Sequence, residues 1–178
     1  MATRTIKGVV LTLQEDDITR VQAEAIVNAA NSALAGGGGV DGAIHRAAGP
    51  SIMAECRQLC GCPTGSAKVT SAGNLPAKYI FHAVGPTYNE RPEDEQLLRS
   101  AYQTCLDLAE QHQVRSIVFP SLSTGAYDYP LTLAAPIALS TVIAHLQKPT
   151  CLRQVSFALF GNHAYTVFSK ALEKLLPE

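Results

Sequence analysis

Positive charge is not in surplus here: fourteen Lys and Arg stand against fifteen Asp and Glu, a formal net charge of -1. No broad positive field therefore exists to hold nucleic acid or an anionic membrane, and any phosphate has to be gripped locally. Long apolar runs are missing as well. No stretch approaches the roughly 18 apolar residues of a membrane span, and the start, from Met1 to Lys7, lacks the apolar core of a signal peptide. The expectation is a soluble, cytoplasmic protein that meets no membrane. Five cysteines, an odd number scattered along the chain, argue for reduced thiols rather than a disulfide framework. No internal repeat and no long low-complexity tail is present. What remains is 178 residues, 47% of them hydrophobic, which suits a single domain over residues 1–178 with a real core.

Short β-branched or apolar runs recur at Val9–Leu11, Ala25–Val27, Lys68–Thr70, Tyr79–Phe81, Ser116–Phe119 and Val155–Phe160, each bounded by turn residues, so six strands are expected. Helical patterns lie between them: near Val40, and around Pro50 to Leu59, Glu93 to His112, Leu131 to Leu146 and Ala164 to Leu176. The alternation predicts an α/β chain with a mixed, largely parallel sheet between helices, and such sheets bind ligands beyond the carboxyl ends of their strands. Three strand exits stand out: Asn28 to Asn31 with the glycines that follow, Ser121 to Gly125, and Gly161-Asn162.

Gly36 to Gly39 sit between a strand and a helical pattern. Glycines there let the backbone approach a ligand, and a helix opening directly afterwards adds its positive end; a flexible hinge is the alternative. Gly37, Gly39 and Gly42 match a dinucleotide fingerprint in spacing only, because a polar segment separates them from their strand and Cys62 stands where an acid is needed. Val40-Asp41 likewise replaces the Lys-Ser/Thr of a nucleotide P-loop. Asp41 and His45 are four apart on the presumed helix, hence on one face. They read either as a carboxylate that orients water with an imidazole to hold it, or as an acid on a helix N-terminus with a surface histidine. Asn28 and Asn31 offer amide donors and acceptors suited to sugar hydroxyls, or serve a turn.

Ser121 to Tyr127 follows an apolar strand and precedes a helix, so Ser123, Thr124, Gly125, Ala126 and Tyr127 can offer further donors at the same edge. Two donor-rich loops converging there suit a pyrophosphate. Phe160 ends the last strand, where it either stacks on a base or fills the core. Cys56, Cys60 and Cys62 with His45 lack the paired spacing of a metal site, so no metal is expected. His82 reads as a structural histidine; His112, His145 and His163 read as surface residues.

The stretch from Ala25 to Gly49, AIVNAANSALAGGGGVDGAIHRAAG, resembles the signature of MacroD-type macro domains. Gly61 to Gly65, Leu75 to Tyr79, His82 to Pro86 and Phe119 to Tyr127 extend the likeness over nearly the whole chain. The resemblance implies a three-layer α/β/α sandwich that binds ADP-ribose. Asp17, followed by Ile18, would contact the adenine amino group, with Phe160 packed near the adenosine. Gly37, Gly38, Gly39 and Val40, with Ser123 to Tyr127, would enclose the diphosphate. Asn31 would hold the distal ribose, with Asp41, assisted by His45, at its reactive carbon. The implied activity is release of mono-ADP-ribose from acidic side chains of modified proteins and deacetylation of O-acetyl-ADP-ribose, with no cofactor. A binding-only reader is the alternative. The expected state is a monomer, and nucleic acid would be a partner only through ADP-ribosylated ends. Three positions depart from the family's usual residues: Asp16 and Asp128 where Gly is common, and Gly161 where an acid is common.

Overall fold

A computed structural model describes every residue from Met1 to Glu178. The chain opens with β1 (Ala2–Ile6) and β2 (Val9–Glu15), a 3-10 turn (Ile18–Arg20) and β3 (Ala25–Ala29). There follow α1 (Gly39–Ala48), α2 (Ser51–Leu59), β4 (Ala67–Ser71), β5 (Tyr79–Ala83) and α3 (Pro92–Gln111). The chain ends with β6 (Ser116–Phe119), α4 (Leu131–Leu146), β7 (Gln154–Leu159) and α5 (Asn162–Leu175). All seven strands form one sheet in the order β1-β2-β7-β6-β3-β5-β4. From β2 through β7, β6 and β3 to β5 neighbours run parallel, while β1 and β4 close the two edges antiparallel.

The sheet therefore has one strand more than expected. β1 escapes a search for apolar runs because only Ile6 of its residues is buried; Thr3 and Thr5 face solvent and Arg4 reaches over α5 to the Leu176 carbonyl. An edge strand held by backbone pairing needs no apolar run.

Successive strand residues point to opposite faces, and this divides the core. Ala25 and Val27 of β3, with Phe81, Phe119 and Phe157, join Leu98 and Tyr102 of α3, Val142 of α4 and Phe168 of α5 in the larger cluster. Ile26 of β3, with Ile80 and Val118, packs against Ile44 of α1 and Ile52 of α2 on the other face. Each fully buried large apolar side chain contributes about 1.5 to 3 kcal/mol of transfer free energy. The result is helix, sheet and helix in three layers.

Two histidines expected at the surface are partly buried. His145 is 11% exposed, its Nε2 lying 2.7 Å from Glu110 Oε2, and His112 packs against Tyr79 with ring centroids 4.7 Å apart. His163 is exposed and His82 is wholly buried.

Candidate active site

Parallel pairing places the carboxyl ends of β2, β7, β6, β3 and β5 along one edge in that order. Every strand exit singled out in the sequence opens there.

After β3, Asn31 clasps the glycine loop: its Nδ2 donates to the Gly36 carbonyl (2.8 Å) and its Oδ1 accepts from Ala35 N–H (3.1 Å). The loop runs straight into α1, whose first turn is Gly39, Val40 and Asp41. The backbone N–H groups of Gly37, Gly38, Gly39 and Val40 meet no backbone acceptor, so they are free for an anion at the helix's positive end. Gly42 permits this approach, since a Cβ there would stand 2.6 Å from the Gly37 carbonyl oxygen.

The second loop leaves β6 and is pinned by Tyr102 of α3, whose buried phenol donates to the Pro120 carbonyl (3.3 Å) and accepts from Leu122 N–H (2.9 Å). Backbone N–H groups from Ser123 to Tyr127 make no backbone bond either. Ser123 holds a left-handed φ of 67°, and its buried Oγ has no partner within the protein. Thr124 turns its hydroxyl back onto Ser121 (2.8 Å to Oγ) and stays out of the cleft wall. The following helix starts only at Leu131, beyond Pro130, so this loop offers free amides but not the helix end that the sequence suggested.

Between the loops lies a cleft of about 430 Å³. Its walls are Asn31, Gly37 to Asp41, Ser121 to Ser123 and Gly125 to Tyr127, with Ala29, Ala30 and Gly85. Gly85 stands within the His82 to Pro86 stretch of the resemblance, but nothing in the sequence assigned it a place in the site. It follows β5 and sits against Ser123, so close that a Cβ would meet Ser123 Oγ at 2.1 Å. No Lys or Arg lines the cleft, and its one charged side chain is Asp41.

Asp41 is 6% exposed, and its two oxygens differ. Oδ1 accepts from Asn28 Nδ2 (2.8 Å) and lies 3.2 Å from His45 Nε2. Oδ2 carries no hydrogen bond within the protein and points towards Gly37, where an added Cβ would be 3.5 Å from it. Asn28 is wholly buried behind Asp41. It is thus corrected from a sugar contact to a residue that holds the carboxylate.

Asp17, Ile18 and Phe160 lie outside this cleft, at the neighbouring exits of β2 and β7, which Asp16 N–H ties together by donating to the Leu159 carbonyl (3.1 Å). Hydrogen bonds from the Thr19 hydroxyl (2.7 Å) and Thr19 N–H (2.9 Å) to Asp17 Oδ1 hold its carboxyl below the usual range. Asp16 accepts from Asp17 N–H (2.8 Å), a concrete role for the first departure. Ile18 is buried under the turn, whereas Phe160, beyond the end of β7, is 85% exposed and is no core residue. Gly161 has φ 95°, a backbone state that favours glycine over the acid common there. Asp128 is exposed.

One cluster that the sequence did not predict is His45, Cys56 and His82, whose donor atoms lie within 4.8 Å of one another. Both ring nitrogens of His82 are already engaged, Nδ1 with Asn28 (3.1 Å) and Nε2 with Thr70 (2.8 Å), and burial pushes the Cys56 thiol up. The donors do not fit a metal while those bonds stand.

The family model described as "Macro domain" matches residues 27–138. A protein of Pantoea vagans named O-acetyl-ADP-ribose deacetylase 1 is 46% identical, the alignment covering 91% of this chain and 98% of that one. A protein of Xenopus laevis named ADP-ribose glycohydrolase MACROD2 is 47% identical over 91% of this chain and 40% of its own length. The solved Oceanobacillus iheyensis macrodomain with ADP superposes with a TM-score of 0.95 at 40% identity, covering 98% of this chain and 96% of that one. With the signature loop, the sheet order and these likenesses in agreement, the chain belongs to the macro domain family.

Proposed function

We propose that this protein binds ADP-ribose and hydrolyses its ester links, releasing mono-ADP-ribose from acidic side chains of modified proteins and deacetylating O-acetyl-ADP-ribose. The observation that carries the reading is the unshared Oδ2 of Asp41, facing a cleft flanked by two loops of free backbone N–H groups. Two phosphates can take several charge-assisted bonds from those loops, each about 1.5 to 3 kcal/mol, without a basic side chain. Against an association cost of roughly 4 to 15 kcal/mol, micromolar affinity follows.

Asn31, at the rim of the glycine loop, suits the hydroxyls of the distal ribose, and Asp41 then stands beside the ester. Oδ2 accepts a hydrogen bond from water and aligns it on the carbon under attack. In an ADP-ribosylated carboxylate, attack adds the water oxygen to the anomeric carbon of the distal ribose and breaks that carbon's bond to the carboxylate oxygen. A carboxylate leaves without prior protonation, which suits a site whose one charged side chain is Asp41, with His45 as its partner. The water proton passes to Asp41 or to a phosphate oxygen of the substrate. In O-acetyl-ADP-ribose the water oxygen adds to the acetyl carbon, and the ribose oxygen leaves as a hydroxyl carrying the water proton.

The test is release of ADP-ribose from a protein mono-ADP-ribosylated on Glu or Asp, with the parent and Asp41→Ala at equal concentration. Release by the parent alone supports the hydrolase. Binding of ADP-ribose without release by either makes the protein a reader.

A further inference from the structure

Behind Asp41 runs a chain of buried hydrogen bonds that reaches the far strands of the sheet. Thr70 Oγ1 of β4 donates its only proton to the Ser71 carbonyl (2.9 Å). The carboxylate at the other end of the chain requires the same sense: the Asn28 nitrogen that must donate to Asp41 Oδ1 also faces Nδ1 of His82 on β5. Nδ1 therefore accepts, His82 Nε2 carries the hydrogen, and Thr70 accepts it across their 2.8 Å contact. A neutral imidazole with hydrogen on Nε2 has a bare Nδ1, which accepts from the Asn28 amide at 3.1 Å. The second amide hydrogen of Asn28 goes to Asp41 Oδ1 at 2.8 Å. Each bond fixes the sense of the next, and the tautomer of His82 is what turns the nitrogen of Asn28, rather than its oxygen, towards the carboxylate.

The cost of the arrangement is visible. Asn28 Oδ1 is buried and has no partner. The amide leaves an acceptor unsatisfied while spending both hydrogens on His82 and Asp41, a poor choice for packing alone on a strand whose neighbour on that face is Ile26.

Resting on the hydrolase reading above, we propose that Asn28 and His82 are positioning residues for Asp41: the Nε2–H tautomer of His82 orients the Asn28 amide, which fixes Oδ1 and thereby aims Oδ2 into the cleft. Neither side chain touches substrate. The groups facing His82 are Asn28 from β3, His45 from α1, Glu55 and Cys56 from α2, and Thr70 from β4, with Asp41 one bond further on beyond Asn28. Burial, with His45 beside it, drives the His82 pKa down to about 4, which keeps the neutral ring on which the relay depends. A second proton on Nδ1 would face the amide hydrogen and turn the amide oxygen onto the carboxylate.

Two measurements test this. In the parent labelled with ¹⁵N-histidine, multiple-bond ¹H–¹⁵N spectra at pH 7 should show His82 protonated on Nε2 alone; an Nδ1–H tautomer or a doubly protonated ring overturns the relay, whether or not the protein turns over substrate. In Asn28→Asp, a second carboxylate replaces the donor. Turnover should fall about 100-fold, as expected for a small misplacement of the reacting group, and the acid limb of kcat should move up by about a pH unit as the two carboxylates share a proton. The Kd for ADP-ribose should stay within about threefold of the parent. Parallel losses in kcat and affinity, or an unmoved pH limb, would mean that Asn28 serves the fold and not Asp41. A parent with no turnover rejects the hydrolase reading, and the spectra then judge the relay by themselves.

Discussion

Gly85 is the position where one methyl group should disable binding without touching the ligand. A Cβ added there would lie 2.1 Å from Ser123 Oγ, 3.4 Å from Ser123 Cβ and 3.7 Å from Leu122 Cβ. Only the first distance is prohibitive, and it concerns the tip of a side chain that can rotate about one bond. Gly85→Ala is therefore relieved by swinging the Ser123 hydroxyl away, at a folding cost of about 1 kcal/mol. The cost falls on the ligand: Ser123 lines the cleft with a free backbone N–H, and its buried, unpartnered Oγ is wedged against Gly85, so displacing the hydroxyl shifts the amide offered to a phosphate oxygen. A hydrogen bond to a charged group is worth about 1.5 to 3 kcal/mol, so ADP-ribose should bind about 10-fold to 100-fold more weakly. Titration calorimetry on four proteins decides it. Ser123→Ala should match Gly85→Ala, and the double variant should lose no more than Ser123→Ala alone, because the clashing atom is gone. Parent-like affinity in Gly85→Ala, or losses that multiply in the double variant, would refute the coupling of β5 to the second loop.

Phe160 gives the opposite pattern to a core aromatic. At 85% exposed, its replacement by Ala should change stability by less than about 0.5 kcal/mol, yet ADP-ribose should lose about 1 to 3 kcal/mol of binding while ribose 5-phosphate loses nothing. Equal losses for both ligands would remove Phe160 from the adenosine end. Acid should destabilise the fold in two windows. The folded pKa of His82 is lowered from 6.5 to about 4, so the unfolded chain takes up a proton first, and about 3 kcal/mol is lost as pH falls through that interval. Burial would raise the Glu110 carboxyl, but bonds from Cys151, Thr150 and His145 outweigh it and hold it at about 2, so its contribution is lost between 4.5 and about 2. Urea unfolding across pH checks both, and His82→Gln should abolish the loss between 6.5 and 4 while leaving the lower window.

The glycine loop, Asp41 and His45 were legible because they are contiguous: a helix spaces Asp41 and His45 by four and puts them on one face whatever surrounds them. The sheet layers were legible from short apolar runs alternating with helical patterns, and β1 was not, since its pairing rests on backbone bonds that leave little trace in side chains. Gly85, Tyr102 and His82 act through neighbours distant in sequence, and nothing local marks a glycine that leaves room for Ser123 or a tyrosine that pins Leu122. Asn28 was picked out as an amide beside the loop, but strand parity sent it to the inner face with Ile26, where it serves Asp41 rather than sugar. Phe160 was ambiguous until the end of β7 was seen to fall one residue before it.

The account turns on the free oxygen of Asp41, and Asp41→Asn tests it most directly. The substituted amide can keep an oxygen towards Asn28 and His45 while presenting nitrogen, a donor, to the cleft, where water needs an acceptor. Measured on mono-ADP-ribosylated protein, kcat should fall by about 10² to 10⁴, with the Kd for ADP-ribose within about threefold of the parent. Turnover retained in Asp41→Asn would contradict the role given to Oδ2.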